Sequence, residues 1–241
     1  MANSLDTSFA TDLKYRLEYG GLRFLIGLVR LVPLDTACDI SAFFWRVLGK
    51  RNRRHKRALA NLERAFPEKT LEERERIAVA AWDNLGRVMV ETMNIDRIIK
   101  DPSRLHVTNG HWIGRYKDKM GPALIVTMHM GNWEIGMWPV TLAGVKPAGV
   151  YRSVKNPYVD RYLREQRQAL YPGGLFGRGR TAGDDETQKT ARLIMDFVRQ
   201  GGRLGFISDL YDRNGIEVPF FGHLAKSMPI AAMIARRVGA R

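Results

Sequence analysis

The sequence predicts an α/β fold: a central mixed, mostly parallel sheet flanked by helices. Three observations carry that prediction. From Pro122 onward, short apolar runs alternate with stretches of helical period, the order that builds parallel strands joined by helices. The run Ala123-Leu124-Ile125-Val126-Thr127 has the composition of a buried strand, and His129 and then Gly131 follow it closely. Before Pro122 the periodicity is almost entirely helical, punctuated by Pro33 and Pro67 and by a Thr70/Glu73 capping box.

Taking the chain in order, its 241 residues suffice for one sizeable core, so residues 1–241 read as a single domain. With 45% apolar and 27% charged residues, the composition is that of a soluble or peripheral globular protein. A net charge of +14 favours acidic partners, whether nucleic acid, anionic lipid or an acidic protein. The single cysteine, Cys38, excludes an internal disulfide and suits a small buried hydrophobe.

Residues 13–32 read as a first helix stopped by Pro33, and residues 37–48 as a second. Neither approaches the roughly 20 apolar residues of a membrane span. Arg23, Gly27 and Arg30 share one face of the first helix, and Phe24, Leu25, Leu28, Leu31 and Val32 cover the rest. That pattern fits a helix lying in a membrane interface with its arginines reaching toward headgroups; a core helix with two exposed arginines fits it as well. Residues 50–57 then carry six positive charges in eight positions. On an anionic surface each contributes on the order of 1 kcal/mol, although a charge run is also an ordinary solvated helix face. Its place behind an interfacial helix favours the membrane, so residues 13–57 are read as a membrane-associating segment. No motif that reads bases accompanies the cluster, so nucleic acid is not an expected partner.

Helix continues over residues 59–66, and one long helix is expected from the Thr70/Glu73 box through Ile98. Residues 105–107 suggest a short strand, and residues 122–128 the central one. Asn132 is placed to cap a helix running to Leu142. A strand over 148–151 leads to Arg152, and a helix over 157–170 carries Asp160, Arg161, Arg164 and Arg167. Residues 174–181 mimic a phosphate loop but follow a helix and Tyr171-Pro172, so they read as a loop without nucleotide. Further helices are expected over 185–199 and 228–237, with a strand over 204–208 that delivers Asp209 to its tip and an extended stretch over 217–221.

His129 therefore stands at the C-terminal end of a strand, where open α/β sheets hold their ligands. On one continuous helix His129 and Glu134 would be about 140° apart. With a strand-to-helix turn between them, both can face one crevice, an arrangement suited to a general base oriented by a carboxylate. Either residue alone has an ordinary reading: a satisfied core histidine, or a first-turn acid favoured by the helix dipole. His106 and His111 lack a third ligand at metal spacing, and no Gly-x-Ser-x-Gly elbow is present.

Four boxes in order extend this reading. His129 to Glu134 has the form H-x-G-N-W-E. Asn61-Leu62 with Ala65-Phe66-Pro67 precedes it. Tyr151-Arg152, Asn156-Pro157, Asp160 and Arg167 follow, and then Asp209 with Val218-Pro219-Phe220-Phe221-Gly222. Together they resemble the lipid A biosynthesis acyltransferases, within the wider H-x4-D/E acyltransferases, from about Gly21 to the last residue. The resemblance implies an acyl chain moved from an acyl carrier protein thioester to a hydroxyl of a lipid A precursor. It places this at the cytoplasmic face of a bacterial inner membrane, with no metal or redox cofactor. It also implies a chain that continues past Arg241 into further strands. His129, Glu134, Arg167 and Asp209 are the catalytic candidates, with His129 as base and Glu134 as its partner. Gly131, Asn132, Arg152, Asn156 and Arg164 are the candidates for substrate binding. Leu210 departs from the family's glutamine, and Lys226 and Ser227 from its Thr and Ser. A glycerophospholipid or glycolipid acyltransferase, or a non-catalytic membrane-surface protein on the same scaffold, remain the alternatives.

Overall fold

The computed structural model describes residues 9–117, 121–178 and 184–240. Its N-terminal half is a helical layer. Helices α1 (Phe9–Leu31) and α2 (Leu34–Gly49) meet at Pro33, which interrupts the backbone hydrogen-bond ladder. Helix α3 (Arg53–Ala65) starts on Asn52, whose side chain accepts from the Arg54 N–H. Thr70 and Glu73 form the expected capping box at the start of α4 (Leu71–Thr92). The single helix expected through Ile98 is two, because α5 (Ile95–Lys100) restarts after a break. Asn94 makes the break: it is buried, leaves helical geometry at φ −129°, and turns its side-chain amide onto the Val90 carbonyl.

Helix α2 lies along α4 at close range. A Cβ on Gly86 would stand 2.9 Å from the Ala42 Cα, and one on Gly49 would meet the Trp82 ring at 2.5 Å. Trp82 stacks on Trp45 and donates to Nδ1 of buried His55, whose Nε2 faces Glu75 at 2.9 Å. His55 is thus the inward member of the basic cluster, and the six cations around it stay exposed. Leu34, Ala37, Cys38, Val90 and Ile98 make the core of this layer. Burial pushes the Cys38 thiol up to about 11, as expected of an inert hydrophobe.

The second layer is a four-stranded sheet in the order β1-β4-β2-β3, parallel throughout. It comprises β1 (Ala123–Thr127), β2 (Pro147–Arg152), β3 (Gly174–Arg178) and β4 (Arg203–Ile207). Helix α6 (His111–Lys117) precedes β1, while α7 (Trp138–Leu142), α8 (Pro157–Arg167), α9 (Asp184–Arg199) and α10 (Ile230–Val238) complete the α/β half. Ala148, Leu204 and Phe206 of the sheet pack against Ile194, Val198 and Ile234 of α9 and α10. An antiparallel hairpin, β5 (Tyr211–Phe220) with β6 (His223–Ser227), stands apart from this sheet.

Three local expectations change. Gly174–Arg178 is an edge strand rather than a loop, because pairing with β2 and the edge-to-face contact of Phe176 with Phe197 hold a glycine-rich run that has little strand preference alone; residues 179–181 of the loop reading lie outside the described residues. Residues 105–107 form no strand: a 3-10 turn, Pro102–Arg104, precedes them, and Leu105 packs on the helical core. The helix expected over 132–142 is a 3-10 turn, Trp133–Ile135, followed by α7. Pro139 has no N–H for the Ile135 carbonyl, so one continuous helix is barred.

Two arginines of α1 have partners within the protein. Arg23 lies 4.9 Å over the Tyr162 ring, and Arg30 is ion-paired with Asp96 at 2.7 Å. The outward stripe is apolar instead: Phe9, Leu13, Leu17, Phe24, Leu28 and Leu31, with Phe24 70% and Leu31 81% exposed. Ile40, Phe43, Phe44 and Val47 extend the exposed apolar surface on α2. No helix among the described residues is long and apolar enough to cross a membrane.

Asn156 fastens α1 to α8. Its side-chain oxygen accepts from the Tyr158 and Val159 N–H groups, capping α8, and its amide donates to the Tyr15 carbonyl and to Glu18. Removing an N-cap costs ~1 kcal/mol, and this one carries two further bonds. Asn156→Ala should therefore lower unfolding stability by roughly 1–3 kcal/mol in urea denaturation.

Candidate active site

Parallel register sets the geometry of the site. Thr127 of β1 lies opposite Ile207 of β4, and the Ser208 N–H donates to the Thr127 carbonyl, so the two strands end side by side. His129 and Asp209 each stand two residues beyond that pair. The His129 backbone N–H donates to Asp209 Oδ2 at 2.8 Å, and its Nδ1 lies 2.8 Å from Oδ1. Burial works against the Asp209 charge, but the two hydrogen bonds from His129 outweigh it and hold the carboxyl below its ordinary value of 3.8. Asp209 is therefore ionised and can only accept, so the Nδ1 facing it carries a proton and Nε2 is the ring nitrogen suited to act as a base. The stabilisation from this depressed pKa is present above 3.8 and is lost as pH falls through the lowered folded value.

Glu134 does not partner His129. It sits in the 3-10 turn, where Asn132 caps the Glu134 N–H, and both its oxygens engage Arg167: Nε at 2.7 Å and Nη2 at 2.8 Å. The two side chains are only 17% and 18% exposed. Burial opposes the Arg167 charge, but the Glu134 carboxylate raises its pKa above the ordinary value. Tyr171 packs beside the pair, and burial, with Glu134 adding to it, pushes its hydroxyl up to about 12. The expected His129–Glu134 pair is thus replaced by two pairs, His129–Asp209 and Glu134–Arg167. The cause is the fork of Arg167, which matches a carboxylate in bidentate geometry and occupies both oxygens.

Each remaining candidate has a definite place. Gly131 adopts φ +52°, a left-handed conformation that favours glycine. The N–H groups of Gly131 and Asn132 make no hydrogen bond among the described residues. Arg152 and Arg164 are exposed, at the end of β2 and on α8. Asn156 is 6% exposed with its polar atoms committed to α1 and α8, so it positions α8 and has nothing left to offer a substrate. Tyr151 and Asp160 also serve α8: the Tyr151 hydroxyl and the Val154 N–H both donate to Asp160. Together these bonds aim Arg167 at Glu134.

The boxes also meet across the chain. Phe66 packs against Phe221 at 5.1 Å, and His223 lies 3.2 Å from the Arg64 carbonyl, so the first and last boxes form one contact. An apolar groove of about 240 Å³ lies between α1, α4 and α8, lined by Leu22, Ile26, Val88, Met89 and Leu163 and by Trp133 and Glu134. A more open depression of about 430 Å³ between α2 and α4 contains none of the site residues.

A family model described as bacterial lipid A biosynthesis acyltransferase matches residues 8–241. The chain belongs to that family. Membership makes it an acyltransferase of lipid A biosynthesis, whose acceptor is a lipid A precursor. Among curated proteins none matches the chain.

Two contacts of the acyltransferase site went unread in the sequence. Asn132 donates to Glu91, and Asn84 donates to the Gly131 carbonyl, both from α4. Their signal was present: Asn84 and Glu91 are polar, seven residues apart, and therefore on one face of a helix otherwise read as core.

The Glu134–Arg167 pair makes a stability prediction. Arg167→Met leaves a carboxylate uncompensated in a largely buried place, which costs roughly 3–5 kcal/mol. Adding Glu134→Leu should recover most of that loss. Urea denaturation of the single and double variants checks both.

Proposed function

We propose that the protein transfers a fatty acyl chain from an acyl carrier protein thioester to a hydroxyl of the lipid A precursor, a phosphorylated glucosamine disaccharide. One observation carries the catalytic part: His129, whose Nδ1 faces Asp209 and whose Nε2 has no partner among the described residues, stands in the same box as Glu134, which lines an apolar groove. Nε2 takes the proton of an acceptor hydroxyl, and the oxygen attacks the thioester carbonyl. The C–S bond breaks, an ester forms, and the leaving thiolate takes the proton back from the imidazolium. No covalent enzyme intermediate is required.

Asp209 supplies what was expected of Glu134: it fixes the tautomer and balances the imidazolium charge. Glu134, which pairs with Arg167, instead gives the groove a polar lining residue, which suits a donor whose alkyl chain lies between α1 and α4. Arg167 Nη1 has no partner among the described residues, and with the free N–H groups of Gly131 and Asn132 it is suited to a developing oxyanion. Exposed Arg152 and Arg164 suit the acceptor's phosphates or the acidic carrier.

In this reading His129→Ala folds normally and loses acyl transfer by ~10²–10⁴ in rate. Mass spectrometry of lipid A from cells with and without the gene tests the acceptor. The reading expects one additional acyl chain when the gene is present; a change confined to phospholipids overturns it in favour of a glycerolipid acceptor.

The same reading places the protein at the cytoplasmic face of the bacterial inner membrane, lying on the anionic surface. Its support is the exposed apolar stripe of α1 and α2 with the six exposed cations of residues 50–57 following them. Leu17→Glu with Phe24→Glu should abolish flotation with vesicles containing anionic lipid. Unchanged flotation places the contact elsewhere.

A further inference from the structure

Helix α4 holds the H-x-G-N-W-E turn at two points. Glu91 Oε2 accepts from Asn132 Nδ2 at 2.7 Å, and Asn84 Nδ2 donates to the Gly131 carbonyl at 3.1 Å. The first bond decides how Asn132 is oriented. An ionised carboxylate accepts and cannot donate, so it draws the NH₂ end of the Asn132 amide. The opposite end, Oδ1, is then left to accept from the Glu134 N–H at 3.0 Å. With that bond reversed, the Glu134 N–H would face a donor and the turn that aims Glu134 at Arg167 would lose its cap. The second bond holds the carbonyl of the residue whose left-handed φ of +52° turns the chain between His129 and Glu134.

Between Asn84 and Glu91 the same helix turns Leu85, Val88 and Met89 into the groove. The wall of the groove and the support of the turn are therefore one rigid element.

We infer that Asn84 and Glu91 are positioning residues for acyl transfer. They fix residues 131–134 relative to the groove, so that the carbonyl end of a bound donor meets the Gly131 and Asn132 N–H groups and the His129 base. This inference rests on the acyl-transfer reading above. Its effect belongs to the chemical step rather than to donor binding, because neither residue lines the groove.

The test uses the full chain with carrier-bound donor, comparing wild type with Glu91→Leu, Glu91→Gln and Asn84→Ala. Misplacing a reacting group by about 1 Å costs up to ~10² in rate, so Glu91→Leu should lower kcat by about tenfold to a hundredfold with the donor KM within about threefold. Glu91→Gln keeps an oxygen that accepts from Asn132 and should restore most of kcat. Asn84→Ala should lower kcat in the same way and serves if Glu91→Leu fails to fold. Hydrogen exchange gives a readout that does not depend on the reaction: amides of residues 131–136 should exchange faster in Glu91→Leu and Asn84→Ala, with those of β1 and β4 unchanged. Faster exchange with wild-type kcat, or a kcat loss that Glu91→Gln does not relieve, overturns the inference. A wild-type chain that transfers no acyl group under any donor tested overturns the acyl-transfer reading instead, and the exchange result still decides whether α4 holds the turn.

Discussion

The clamp between Asp209 and His129 is the contact on which the rest of the site depends, and sheet register creates it. Two parallel neighbours that end together present the residues after their ends side by side. Because Thr127 lies opposite Ile207, the residues two steps beyond are His129 and Asp209. Asp209 binds both the backbone and the ring of His129, so one carboxylate fixes where the imidazole sits and which nitrogen carries its proton. A slip of one residue in the β1–β4 pairing would point His129 to the other face of the sheet. Leu204 and Ala148, both fully buried, hold β4 and β2 in the core and oppose that slip.

The second polar pair depends on a different layer. Glu134 and Arg167 are taken largely out of water, a loss that bidentate hydrogen bonding offsets only when the geometry is good. That geometry comes from α8, whose start is capped by Asn156 and whose approach is set by Tyr151 and Asp160. The box that contains these residues thus serves mainly to aim one arginine. The first and last boxes are likewise joined by a physical contact, Phe66 on Phe221, which ties the hairpin after Asp209 to the end of α3.

Helix α1 has two sides with two tasks. Leu22 and Ile26 line the groove, while Leu17, Phe24, Leu28 and Leu31 face outward. Its arginines satisfy protein partners on α8 and α5, so the outward side can be apolar without leaving a cation unpaired beside it. In the proposed setting, a membrane surface and an acyl-chain groove are separated by the thickness of one helix, about 10 Å.

Much of this was legible in the residues, for local reasons. Pro33 and Pro67 end helices because they lack an N–H, and Thr70 with Glu73 starts one by satisfying its first free amides. The run into His129 is a strand because β-branched residues suit a buried, pleated surface. The candidate site residues stand out among these elements because each lies at a strand tip or in a box that resembles the family's. Signals that depend on partners far along the chain were not legible. Gly174–Arg178 is a strand only through β2, and Arg23 and Arg30 of α1 find their partners, Tyr162 and Asp96, more than 60 residues further along the chain. The sequence by itself determined most of the helices and the strands β1, β2 and β4, and singled out four charged or basic side chains beside them. Only the tertiary structure decided how those four pair: the strand order β1-β4-β2-β3 sets Asp209 beside His129, and the angle of α8 sends Arg167 to Glu134. The physical reason is that spacing along the chain constrains contacts within an element, whereas hydrogen bonds between elements follow from packing.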